Sequence, residues 1–225
     1  MFRNILGLWS GKGLLEKVLD DFSAMPKLAE EMYIKVMENF FNPNMTQEFK
    51  QSIYDMDQKI NGLERLIRKR IVEHLAVSPT RSLNVSLILM SVIKDAERVG
   101  DLIKNLLEAS RMIKHPFDRA EFEVYFNNLP EQISKYFSTT VNTFVEFDDA
   151  AGLQLIKEER ATAKQCDRII ETLANSELGA NRAVCFTIIA RYLKRITLHL
   201  ANIVTAVVVP LSDLDYFDER RIPDS

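Results

Sequence analysis

Two carboxylates four residues apart, Glu97 and Asp101, are the first residues in this sequence whose spacing suggests chemistry. At that spacing both side chains face one side of a helix. They belong to the run Lys94-Asp95-Ala96-Glu97-Arg98-Val99-Gly100-Asp101, and Glu97 directly follows the apolar seam residue Ala96. A second line behaves the same way: Asp57 follows Met56, Asn61 follows Ile60 and Glu64 follows Leu63. Two helices of one bundle would then each present a row of oxygens along the edge of the core. Hard divalent cations and iron-type ions need several converging oxygens, and i, i+4 carboxylates on facing helices supply them. The same residues also read as solvated carboxylates, with Glu97 or Asp101 paired to Arg98 or Lys104. Gly100 lies inside this stretch. A mid-helix glycine costs about 1 kcal/mol relative to alanine and is tolerated where a packed helix or a ligand comes close.

Other chemistry is absent from the sequence. There is no Gly-rich phosphate loop, no GxSxG and no HExxH. A di-iron carboxylate enzyme would carry Glu-x-x-His pairs, and no glutamate here has a histidine three residues later. His74, His115 and His199 fall on separate segments and are expected at the surface or at helix caps. The guanidinium groups of Arg98 and Arg195 match phosphate oxygens, although pairing with carboxylates of a neighbouring helix is the ordinary role for an arginine so placed. Cys166 and Cys185 form neither a CxxC pair nor a disulfide framework, which points to a reducing, cytoplasmic setting.

The elements that position these residues follow from composition and periodicity. The chain has 225 residues with 29 basic and 32 acidic side chains, a net charge of −3 and a pI near 5.7, which argues against nucleic acid as a partner. Hydrophobic residues make up 47% and charged residues 27%, as in a globular protein rather than a disordered one. Seven glycines and seven prolines are few breakers for this length, so long helices are expected. No apolar run approaches the roughly 20 residues of a membrane-spanning helix. The apolar start, with Phe2, Leu6 and Trp9, reads as ordinary packing, with a short membrane or partner anchor as the alternative.

Six long segments carry apolar residues at helical spacing. Their seams run Leu15–Val36, Ile53–Leu75, Val85–Leu106, Phe122–Phe144, Leu153–Leu173 and Phe186–Val207. Breaks are expected near 42–45, 77–80, 114–117, 148–151 and 175–179, with Pro26 and Pro130 kinking a helix or marking a first turn. The third and sixth segments repeat at a shift of 97 positions: Ala96 falls on Leu193 and Val99 on Ile196, while Asn84, Arg98 and Asn105 meet Asn181, Arg195 and Asn202. The pattern predicts an all-α protein of two tandem antiparallel three-helix bundles. The first covers 13–113 and the second 117–209, with an extension at 1–12 and a tail at 210–225. Phe40, Phe41 and Tyr125 suggest an apolar surplus available for a homodimer.

The motif Asp95-Ala96-Glu97-Arg98-Val99-Gly100-Asp101 with Asn105 resembles the signature of the PhoU family. The run from Asp57 through Asn61 to Glu64 and the Ser78-Pro79-Thr80 break resemble it too, and the second half echoes it around Arg195-Ile196 and Asn202. The resemblance implies a non-enzymatic, cytoplasmic regulator of phosphate uptake and of phosphate-dependent signalling. Its implied partners are a phosphate transporter, of ABC or cotransporter type, and a sensor histidine kinase, with peripheral contact at the inner membrane face. It also implies a homodimer and a divalent or iron-type metal on Asp57, Asn61, Glu64, Glu97 and Asp101. The second half departs from the pattern. Lys194 and Leu198 stand where the two carboxylates would be, and Glu159 is retained while Ala163 replaces an acid. Any metal is therefore expected in the first half alone, with Lys194 as a counter-ion to Glu159. The alternative is a metal-free structural adaptor for a sodium–phosphate cotransporter or another membrane partner.

Overall fold

The computed structural model describes residues 12–77, 83–115, 117–146 and 148–208, and all their side chains except those of 12–16, 145 and 207. Expectations for Phe2, Leu6 and Trp9, for the break at Pro79 and for Pro210 fall outside these residues. All regular structure described is α-helical: α1 (Lys12–Glu38), α2 (Gln47–Val77), α3 (Leu83–Arg111), α4 (Arg119–Phe126), α5 (Leu129–Glu146), α6 (Asp149–Ala174) and α7 (Ala180–Val208). None of them is long and apolar enough to cross a membrane.

Polar side chains start three of the helices. Thr46 starts α2 by accepting from the Phe49 N–H at 3.1 Å. Asp118 starts α4 by accepting from Glu121 N–H at 2.8 Å, and Asp148 starts α6 by accepting from Ala150 and Ala151 N–H, both at 3.0 Å. The expected fourth helix is in fact two. Asn127 stands at φ 47°, closes α4 through its own N–H to the Glu123 carbonyl at 2.9 Å, and turns the chain before Leu129. Asparagine tolerates positive φ better than other side chains. Pro130 then sits in the first turn of α5, as expected, whereas α1 continues through Pro26.

The two bundles, α1–α3 and α4–α7, are fused along their length. Helices α1, α3, α5 and α7 form a central layer in which α3 packs on α7 and α1 on α5, and α2 and α6 lie on the outside. One continuous core runs through both bundles. The seams read from the sequence are buried along α1, α3, α4–α5 and α7 wherever described. Along α2, Leu63 and Leu75 are only half-buried while Glu64 and His74 are buried. The reading of α6 needs the larger correction. Leu153 is 50% exposed, Ala163 and Ile170 are half-buried, and the buried face runs through Leu155, Glu159, Thr162, Cys166, Ile169 and Leu173.

The aromatic residues expected at a surface turn inward. Phe40 is buried, Phe41 and Tyr125 are half-buried, and with Phe117, Phe122, Phe126 and Phe186 they form one cluster where the bundles join. The argument for a homodimer from these rings therefore falls away.

Cys166 and Cys185 are both buried and free. Burial pushes the Cys166 thiol up to about 12 and raises that of Cys185 as well. Since the thiolate is the nucleophile, the native protein should show no thiol reactive toward Ellman's reagent at about pH 8, and both should react in denaturant. A prompt reaction of the native protein would contradict this burial.

Candidate functional site

All five residues singled out on α2 and α3 fall along one groove between these helices. The helices pack closely beneath it because α3 has no side chain at Gly100: a Cβ there would lie 2.9 Å from Ile60 Cδ1 and 3.7 Å from Asp57 Oδ1. This close approach explains the mid-helix glycine by packing. It sets Asp57, Asn61 and Glu64 alongside Glu97 and Asp101. Asp57, Glu64 and Glu97 are less than 10% exposed, so these carboxylates border the core rather than solvent.

Their partners are lysines and arginines. The Lys104 ammonium donates to Asp57 Oδ2 at 2.8 Å and to Asp101 Oδ1 at 2.9 Å, bridging α2 and α3. Lys94 donates to Glu97 Oε2 at 2.6 Å and stands 3.8 Å from Glu64 Oε1. Arg68 pairs with that same Glu64 oxygen at 2.9 Å, and Arg98 makes longer contacts to Asp101 at 3.7 Å and Glu97 at 4.0 Å. Four carboxylates thus face four cations. Burial works against the Lys104 charge, but its bonds to Asp57 and Asp101 outweigh this and hold its pKa above the ordinary lysine value. Burial pushes the Asp57 carboxyl upward, with Lys104 pulling the other way. Asp57 Oδ1 and Asn61 Oδ1 are buried without a hydrogen-bond partner.

In residue type the set suits a hard cation, and the two orphaned oxygens are what such an ion would satisfy. In arrangement the set does not fit one. Among the described residues no three His, Cys, Asp or Glu side chains converge at metal-ligand spacing, and ammonium groups occupy the space between the carboxylates.

Sequence reasoning named Lys104 only as a counter-ion and gave Lys94 and Arg68 no role. The signal was available, since Lys94 and Lys104 stand three residues from Glu97 and Asp101, and Arg68 four from Glu64. It also missed Asp95. His199 is not a surface or capping residue: its Nδ1 lies 2.7 Å from Asp95 Oδ1, and Asn202 Nδ2 donates to the same oxygen at 3.1 Å. This contact ties α3 to α7, and so one bundle to the other. His74 is buried as well, whereas His115 is exposed.

The corresponding place in the second half has a different character. Burial along α6 repeats that along α2 at a shift of 102, with Glu159, Thr162 and Cys166 matching Asp57, Ile60 and Glu64. Lys194 donates to both oxygens of Asp167, at 2.7 and 2.6 Å. Leu198 is 37% exposed where Asp101 stands in the first half.

The fold is a duplicated three-helix bundle with acidic residues lining the second and third helices of its first half. Residues 22–110, which lie within the first bundle, match the model of the PhoU domain. The fold as a whole is similar to PhoU from Pseudomonas aeruginosa, at a TM-score of 0.77 and 21% identity over 87% of this chain and 96% of that one. It is similar also to the phosphate transport system regulatory protein PhoU from Streptococcus pneumoniae, at 0.74 and 16% identity over 90% and 95%. No curated protein sequence matches the chain. The low identities mark a divergent sequence on the PhoU fold.

Proposed function

We propose that this protein is a non-enzymatic, PhoU-type regulator of phosphate uptake and phosphate-dependent signalling. It acts by binding a phosphate transporter or the sensor kinase that works with it, at the cytoplasmic face of the membrane. The observation that carries this reading is the PhoU domain at residues 22–110, set in a fold that superposes on PhoU over nearly the whole described chain. The solved neighbour from Streptococcus pneumoniae is described as regulating a phosphate transport system, which supplies the class of process. The side-by-side bundles leave the outer faces of α2 and α6 as surfaces for such a partner.

The test is uptake of radiolabelled phosphate by cells with and without the gene, followed through a shift from limiting to replete phosphate. Loss of the gene should change how uptake responds to the shift. An identical response in both strains would overturn the regulatory reading.

A further inference from the structure

We propose that the α2–α3 groove is held together by the protein's own ammonium groups in the role that a bound divalent cation would otherwise fill. Lys104 takes the central position. Its nitrogen lies within 2.9 Å of one carboxylate oxygen from each helix, Asp57 Oδ2 and Asp101 Oδ1. That is the bridging contact by which an ion joins two helices. Lys94, nearly three turns earlier on α3, donates to Glu97 Oε2 at 2.6 Å and stands 3.8 Å from Glu64 Oε1 on α2. With these charges in place the carboxylates are already neutralised, and an incoming dication would meet two fixed positive charges at close range. It would also have to displace hydrogen bonds of charge-assisted strength.

The surroundings of Asp57 agree. Its second oxygen lies against α3 at Gly100, close enough that a Cβ there would be 3.7 Å away. One face of this carboxylate is thus taken by helix packing and the other by Lys104. Asn61, one turn along α2 from Asp57, keeps a buried oxygen without a hydrogen-bond partner. The inference rests on these ion pairs and not on the regulatory reading, so it can fail or hold independently of the uptake experiment.

Manganese serves as the probe, because its preference is for oxygen ligands. Calorimetric titration and metal analysis after gel filtration should find no stoichiometric manganese on the wild-type chain, and its Tm should respond neither to manganese nor to chelator. Lys104→Met and the double variant Lys94→Met/Lys104→Met should lose thermal stability when metal-free. They should then bind roughly one manganese ion per chain and recover Tm on binding it. Adding Glu97→Gln and Asp101→Asn to the double variant should abolish this gain, while Lys104→Arg should stay metal-independent. Stoichiometric manganese on the wild type that Glu97→Gln/Asp101→Asn removes would overturn the proposal. So would a helical, folded Lys104→Met that gains neither binding nor Tm. If Lys104→Met does not fold, the wild-type titration and Lys104→Gln decide the matter by the same criteria.

Discussion

Replacing Phe186 by alanine should lower the unfolding free energy by about 3–5 kcal/mol, the range for truncating a fully buried aromatic side chain. Phe186 is on α7 and has no exposed surface. Its ring centroid lies 5.4 Å from Phe117, 5.6 Å from Phe126 and 5.9 Å from both Phe122 and Tyr125. These rings come from α4 and the segment before it, and they continue to Phe40 and Phe41 beyond the end of α1. Truncation therefore opens a cavity where the end of the first bundle meets the second. In a chain of this size the loss corresponds to a fall in Tm of roughly 10 °C. Chemical denaturation followed by circular dichroism measures it. A loss below about 1 kcal/mol would show that the cluster collapses around the gap instead of holding its shape. Phe186→Leu, which keeps most of the volume, should cost less than half as much.

The second large effect is expected at the other end of the molecule. Gly152 lies in the first turn of α6, and a Cβ added there would stand 2.8 Å from Val208 Cγ1, 2.9 Å from Val204 Cγ1 and 3.2 Å from Thr143 Cγ2. All three neighbours are β-branched, with side chains stiff at χ1, so they cannot swing aside cheaply. Gly152→Val should cost about 3 kcal/mol, the upper end for overpacking. Gly152→Ala should cost less, because the clash is smaller and alanine is the better helix former. Equal, small effects for both would mean that the end of α7 gives way. Melting curves of the two variants beside the wild type separate these outcomes.

The helices with clean apolar stripes were legible in the sequence. Val18, Phe22, Met25, Ala29, Met32 and Val36 step along α1 by threes and fours, and all are buried. Along α6 the buried face crosses Glu159 and Thr162, polar residues that a count of apolar positions passes over in favour of exposed Leu153. The turn at Asn127 had a local signal, a pair of asparagines just before Leu129-Pro130, but the apolar spacing of Phe122, Phe126 and Leu129 continues across it. The acidic residues of the groove were legible because i, i+4 spacing is local. Which oxygen Lys104 would reach on α2 was not, because that depends on the register set by the contact of Gly100 with Ile60. The pairing of His199 with Asp95 depends in the same way on how α3 meets α7.

The antiparallel meeting of α3 and α7 has an evolutionary consequence. These helices are the two copies of one repeat, related by a shift of 97 positions, and they pair through Asp95 with His199. That register places a pseudo-dyad between Arg98 and Val99 on one helix and between Arg195 and Ile196 on the other. It is the arrangement of an isologous dimer, in which one patch meets its own copy. A single-bundle ancestor joined in this way would suffer every substitution twice, once in each subunit. Fusion into one chain removes that constraint. The two repeats are then free to differ, and one holds Glu97 and Asp101 where its twin holds Lys194 and Leu198.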